Sequence, residues 1–165
     1  MTIFQEINCR PLHSEILAAI HGRCFDNPWL VASFGDLLSS SAVTGFLTVE
    51  AGAAEPGPAT TSLAPSGFIL MQTVGDECEI LTLGVLPEFR RAGIASRLLG
   101  AVLSKAHEVP VNRIFLEVSE NNYAARSFYH RHDFAQTGIR PHYYNMKEGR
   151  MDAIMMSRVI GNLRK

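Results

Sequence analysis

The spacing of apolar and polar residues changes repeatedly along this chain, and each change marks an element. Residues 3–8, IFQEIN, alternate in part and predict a first strand. From Leu12 to Phe25, LHSEILAAIHGRCF places Ile16, Leu17, Ile20 and Phe25 at helical spacing, until Asn27-Pro28 interrupts it. WLVASFGDLLSS predicts a second short helix, TGFLTVE (44–50) a strand and GFILMQTV another. Between those strands, residues 51–66 (AGAAEPGPATTSLAPS) have too few large apolar groups to pack and predict a mobile surface loop at the tip of an antiparallel hairpin.

The second half is more regular. ECEILTLGV (77–85) predicts a strand, RAGIASRLLGAVLSKAHE (91–108) a helix and RIFLEVSE (113–120) a strand. NNYAARSFYHRH (121–132) then predicts a helix, with FAQTGIR (134–140) and DAIMMSRVI (152–160) as the last strands. A run of strands followed by β-α-β-α-β predicts an α/β fold with a mixed sheet and helices on both faces. The crossover makes strands 77–85 and 113–119 parallel neighbours.

Composition narrows the class. The 165 residues suit one domain, 1–165, and 47% hydrophobic with 19% charged residues is a globular balance. A net charge of -1 argues against nonspecific nucleic-acid binding. Cys9, Cys24 and Cys78 form no CxxC pair and read as reduced cytosolic thiols. The start MTIFQEINCRPLHSE has no leader pattern, and no segment reaches the roughly 20 apolar residues that span a bilayer. A cytoplasmic protein, monomeric or weakly dimeric, without membrane or nucleic-acid partners, is expected. The six histidines form no HExxH or similar pair, so no metal is expected.

One stretch points to a ligand. Arg90 and Arg91 stand directly before Gly93 and the small residues Ala92 and Ala95, at the mouth of the helix over 91–108. A helix N-terminus carries unpartnered N–H groups and partial positive charge. Gly93 lets backbone approach a ligand, Ser96 adds a hydroxyl, and the arginines add full charge. The pattern suits a diphosphate. Neither GxxxxGK[ST] nor GxGxxG is present, so triphosphate and dinucleotide loops are excluded.

The R-x-x-G-x-A sequence, set between a strand ending Leu83-Gly84-Val85 and a helix, resembles the pyrophosphate loop of the GCN5-related N-acetyltransferases. FLEVSENNYAARSFYHRHDF and GIRPHYYNMKEGRMDAIMMS resemble its ribosomal-protein-alanine N-acetyltransferase (RimI-like) branch; the close likeness covers about residues 77–157. The resemblance implies the family's mixed, mostly antiparallel sheet, splayed between two central parallel strands. It also implies acetyl-CoA as cofactor, with the pyrophosphate on backbone N–H groups of residues 91–96, Ile94 among them. The pantetheine arm would pair with Leu83-Gly84-Val85, Gly84 marking a bulge or splay. Asn122 matches a cofactor-contacting asparagine, though it equally suits a helix N-cap.

Acetyl transfer to an amine needs a proton acceptor, carbonyl stabilisation and a proton for the leaving thiolate. In RIFLEVSE, Glu117 shares a sheet face with Phe115 and Ser119, opposite Ile114, Leu116 and Val118. Such a carboxylate needs a partner or a raised pKa; it reads as a paired structural group or, with the resemblance, as the general base. Tyr129 reads as a core tyrosine beside Phe128 and Phe134, and the resemblance implies a general acid. Tyr143 and Tyr144, placed in a loop between the last two strands, suit either hairpin packing or the wall of a peptide groove. Asp133 stands where the family usually has glycine; aspartate tolerates the left-handed turn.

The acceptor implied is the N-terminal α-amine of a protein such as a ribosomal protein, acetylated directly in a ternary complex. An α-amine of pKa about 7.7–8.0 is far more available near neutrality than a lysine near 10.4. A small-molecule amine or a lysine is the alternative acceptor, and a noncatalytic coenzyme A-binding regulatory module is the alternative outside enzymes.

Overall fold

The computed structural model describes residues 3–51, 63–146 and 149–161. Its strands are β1 (Ile3–Asn8), β2 (Val43–Ala51), β3 (Leu63–Val74), β4 (Glu77–Val85), β5 (Arg113–Ser119), β6 (Ala135–Met146) and β7 (Gly149–Val159). Its α-helices are α1 (Ser14–Cys24), α2 (Val31–Ser39), α3 (Ile94–Glu108) and α4 (Tyr123–Arg131). These elements form two compact units, Met1–Gln72 with Leu81–Lys105, and Thr73–Ile80 with Ala106–Lys165. Strand β4 contributes to both.

In the first unit the strand order is β1-β2-β3-β4. The expected hairpin is present: β2 and β3 pair antiparallel from Val43↔Gln72 to Ala51↔Leu63, with a register shift at Thr48/Val49. The ends of the 51–66 segment are therefore strand; residues 52–62, where a mobile loop was expected, lie outside the described residues. Helices α1 and α2 bury Leu17, Ile20 and Phe34 against Leu47, Val49, Phe68 and Leu70. The buried stripe of α1 is Leu17, Ile20 and His21, while Ile16 and Phe25, placed on that face by their spacing, are more than a third exposed. A polar residue completes the helical period, which hydrophobicity alone conceals.

His21 is 3% exposed. Its ring stacks on Phe25 at 4.2 Å and on Trp29 at 5.1 Å. Its Nδ1 accepts the backbone N–H of Trp29 at 3.2 Å. The imidazole is thereby the joint between α1 and the Asn27-Pro28-Trp29 turn.

In the second unit the order is β4-β5-β7-β6. As expected, β4 and β5 are parallel neighbours, registered at Glu77↔Arg113, Cys78↔Ile114 and Glu79↔Phe115. β5 continues four residues beyond the last of these pairs and is held by antiparallel β7 along its whole length, Arg113↔Val159 to Ser119↔Ala153. Ile114, Leu116 and Val118 are buried; Phe115, Glu117 and Ser119 take the half-buried face, as alternation predicts. Helix α4 ends through a left-handed Asp133 (φ 64°), with the Phe134 N–H donating to the Tyr129 carbonyl at 3.1 Å. Arg158 closes that corner by donating to the His132 carbonyl at 2.9 Å.

Strand β6 departs from expectation. It runs to Met146, so Tyr143 and Tyr144 lie within a strand and not in a loop. Pairing with β7 shifts register between Gln136 and Gly138, runs on to Arg140↔Ala153, shifts again, and resumes at Tyr144↔Met151. Pro141 has no N–H for a ladder, so the strand bulges around it and continues.

Burial holds the His21 pKa down to about 4, from an ordinary value of 6.5. Above pH 6.5 the ring is neutral whether folded or unfolded. Between pH 6.5 and 4 the unfolded chain takes up a proton that the folded chain refuses, so stability falls with pH, by up to about 3 kcal/mol. Denaturant unfolding across that range will show this limb, and a His21→Gln variant, which keeps an acceptor, will lack it.

Candidate active site

The residues singled out in the sequence fall in both units. In the first, β4 ends at Val85 and a 3-10 turn, Pro87–Phe89, leads to the paired arginines. Arg91 (φ 64°) and Gly93 (φ 79°) both take left-handed backbone, and α3 opens one residue later. The helix therefore begins three residues after the 91–108 boundary read from its apolar spacing. A Cβ on Gly93 would meet nothing within 4 Å, so the glycine is required by its backbone angle and faces open space. Arg97 makes the first helical return bond, to the Gly93 carbonyl at 3.1 Å. The first N–H groups of a helix in general point out of its N-terminus. Left-handed residues followed by a helix N-terminus form a concave array of donors suited to an anion.

Two ion pairs brace this loop. Arg23 grips Glu88 through two bonds of 2.8 and 3.1 Å, and Arg97 pairs with Glu6 while donating to the Phe4 carbonyl at 2.8 Å. Arg90 is anchored at the mouth. Its Nε donates to the Val85 carbonyl at 3.2 Å, which also accepts from Cys24 Sγ at 3.4 Å. Arg90 therefore closes the loop onto the strand.

Gly84 also sits in a packed place. Its φ is not left-handed, and a Cβ there would stand 3.2 Å from Phe68 and at ordinary contact distance, 3.4 Å, from Cys24 Sγ and Phe25. The β4–β5 pairing runs to Glu79↔Phe115, short of Leu83-Gly84-Val85.

The second unit carries the proton-handling candidates. Glu117 Oε1 lies 2.9 Å from Arg140 Nη2, the carboxylate 12% exposed and the guanidinium side chain 50%. The Tyr143 ring lies 5.0 Å from the same guanidinium, a cation-π contact. Glu79, two positions from the edge of β4, shares this surroundings: burial first, then the charge of Glu117, raises its pKa, and Arg140 opposes the rise. Two carboxylates and one guanidinium thus form a single electrostatic group. The sequence reading named Glu117 and Tyr143 but neither Glu79 nor Arg140. Alternation alone places Glu79 and Glu117 on the same face, once β4 and β5 are taken as parallel neighbours.

The bulge that carries Arg140 toward Glu117 has its own support. His142 is left-handed (φ 55°), and its N–H donates to Asp152 Oδ1 at 2.8 Å. The Asp152 N–H in turn donates to Glu120 Oε1 at 3.2 Å. Tyr144, through its backbone, reopens the ladder opposite Met151.

Tyr129 is buried among Phe128 and Phe134, at ring distances of 5.1 and 5.4 Å, and burial raises its phenol pKa well above the ordinary 10. The group stays protonated throughout the physiological range, as a proton donor must. Asn122 caps α4, its side-chain oxygen accepting the Ala125 N–H at 3.1 Å. The cap uses the oxygen; the amide hydrogens are the part that a ligand would take. Burial raises the thiols of Cys9 to about 12 and Cys78 to about 11, and raises Cys24 as well. Each is therefore held as the weakly nucleophilic thiol. Among the described residues, no three His, Cys, Asp or Glu side chains are grouped to hold a metal ion, and no helix is long and apolar enough to cross a membrane.

Residues 15–134 match the acetyltransferase (GNAT) family. The chain belongs to that family. It is 35% identical over 92 residues to the [ribosomal protein bS18]-alanine N-acetyltransferase of Haemophilus influenzae, and 33% identical over 92 residues to that of Escherichia coli K12. These matches cover 55% and 56% of this chain and 62% of each relative, so less than two thirds of their length is spanned. Among solved structures, the Escherichia coli ribosomal-protein-S18-alanine N-acetyltransferase superposes with a TM-score of 0.82 at 24% identity, covering 96% of this chain and 95% of that one. Arabidopsis thaliana NAA60 in complex with a bisubstrate analogue gives 0.80 at 22% identity, covering 98% and 99%. At such identities the likeness is one of fold, and the fold is the GNAT fold expected from the sequence.

In this GNAT chain the two loop glycines answer to different forces, which substitution separates. Gly93→Ala is expected to lower stability by about 1–2 kcal/mol through left-handed strain alone. Gly84→Ala is expected to cost about 1–3 kcal/mol through overpacking against Phe68. A second substitution, Phe68→Leu, will relieve the Gly84 variant and leave the Gly93 variant unchanged in denaturant titrations.

Proposed function

We propose that this chain transfers an acetyl group from acetyl-CoA to the N-terminal α-amine of a protein, an N-terminus of the ribosomal-protein type being the acceptor favoured by its curated relatives. The observation that carries the reading is the half-buried Glu117 carboxylate, held beside Glu79 and Arg140 on a strand of a GNAT sheet. The left-handed Arg91–Gly93 loop and the opening turn of α3, residues 91–96, fit the diphosphate of coenzyme A, with Leu83, Gly84 and Val85 offering strand backbone to its amide-bearing arm. When bound, acetyl-CoA supplies the activated acyl group. The protein's share is to bind, orient and move protons.

Glu117 takes one proton from the acceptor's ammonium and passes it to solvent. Tyr129, kept protonated by burial, holds a proton at Oη for the leaving sulfur and recovers it from the attacking nitrogen's second proton. Proton count balances: of the three ammonium hydrogens, one reaches solvent, one ends on the thiol, and one stays on the amide. The raised thiol pKa values of the cysteines support direct transfer over a cysteine-linked acyl intermediate. Tyr143 and Tyr144 are assigned to the acceptor peptide. Holding amine and thioester together supplies much of the acceleration.

Acetyl transfer measured on peptides with varied first residues, against N-terminally blocked lysine peptides and small amines, tests the reading. Transfer to free N-termini is expected, with Glu117→Gln lowering kcat at least about 10²-fold and coenzyme A affinity unchanged. Turnover confined to small amines or lysine would overturn the protein-terminus assignment. Coenzyme A binding with no transfer to any amine would turn the chain into a binding module.

A further inference from the structure

The contact that keeps Glu117 satisfied also opposes its work. A carboxylate touching a guanidinium holds its charge tightly and accepts a proton poorly, because arginine never gives up its own. Glu117 lies inside at 12% exposure, while Arg140 reaches it from a side chain 50% exposed, its Nη2 2.9 Å from Oε1. Arg140 is also the last residue before the register shift in β6, with Pro141 and the left-handed His142 immediately after it. Its outer surface is a tyrosine, Tyr143, itself 47% exposed, which offers the guanidinium a second resting place. The inner partner is fixed in a strand; the outer one is mounted at a bulge.

We propose that Arg140 is an exchangeable counter-ion on Glu117, whose place the acceptor's ammonium takes before it gives up its proton. This rests on Glu117 being the general base. In the free protein the guanidinium satisfies a carboxylate that would otherwise be desolvated beside a second one. On binding, a primary ammonium replaces it at the same oxygen, and the guanidinium moves over Tyr143. Charge is conserved at the carboxylate, one cation for another, but the new cation can release a proton and the old one cannot. Glu79 lies in the same electrostatic group, its pKa raised by burial and by the charge of Glu117. Among the groups around Glu117 are Glu79 from β4 and Arg140 from β6, the latter over the Tyr143 ring; its neighbour across β7, Met155, is uncharged. Arg140 acts through Glu117 and is a positioning residue, and the exchange makes it a competitor of the substrate.

Steady-state kinetics with an alanine-initiated peptide will distinguish exchange from static support. Arg140→Gln is expected to lower the peptide KM about threefold to tenfold, because the competing cation is gone. Arg140→Lys, which keeps a competing cation, is expected to stay within about twofold of wild type in KM. Added guanidinium ion at millimolar concentration is expected to inhibit Arg140→Gln competitively with the peptide. A KM unchanged or raised in Arg140→Gln would overturn the exchange. If Glu117→Gln loses turnover while Arg140→Gln gives that result, the base assignment stands and only the exchange fails. If Glu117→Gln keeps full turnover, the base assignment itself falls, and the exchange with it.

Discussion

A carboxylate held largely out of water on a sheet strand needs a compensating partner, and much of the second unit follows from how Arg140 meets that need for Glu117. Glu117 is held along β5 by its ladder to β7 and cannot move to solvent. The cation has to come to it. Arg140 does so from β6, and the bulge beside it lets the strand turn a side chain inward without ending. A left-handed His142 is an uncommon state for a residue with a Cβ, and the Asp152 carboxylate accepting its N–H compensates for the lost ladder bond. The chain of support therefore runs from Glu120 through Asp152 and the bulge to Arg140, and from there to Glu117.

The first unit solves a different problem, that of exposing backbone donors without letting the loop collapse. Left-handed Arg91 and Gly93 turn the chain sharply before α3. Surface ion pairs are individually weak, but Arg23–Glu88 and Arg97–Glu6 tie the two sides of the turn to separate elements, α1 and β1. Arg90 then fastens the turn to the end of β4 through the Val85 carbonyl. A loop shaped before any ligand arrives loses less entropy on binding, which is the advantage such bracing confers.

The two glycines in this region show where reading residues one at a time misleads. Both look like positions kept clear for a ligand. Gly93 meets a backbone angle, whereas Gly84 sits where a Cβ would press on Phe68. His21 is the complementary case: a polar residue on an apolar stripe, which the hydrophobic pattern passes over and the fold places between Phe25 and Trp29. In each instance the deciding neighbour is distant in sequence or hidden by residue type.

Local patterns determined much of this protein. Alternation and helical spacing placed β1, β4, β5 and all four helices to within a few residues, and the crossover between β4 and β5 followed from element order, because both signals depend on neighbours along the chain. The turn before α3 was legible for the same reason, being a short contiguous run of glycine, arginine and small residues, and Glu117 stood out as a charge among apolar positions. Arg140, Glu79 and Asp152 did not, and β6 was read as ending at Arg140 when it continues to Met146. Pairing across strands decided those features. Whether a strand survives a proline, and which cation reaches a given carboxylate, depends on residues brought adjacent only when the sheet assembles.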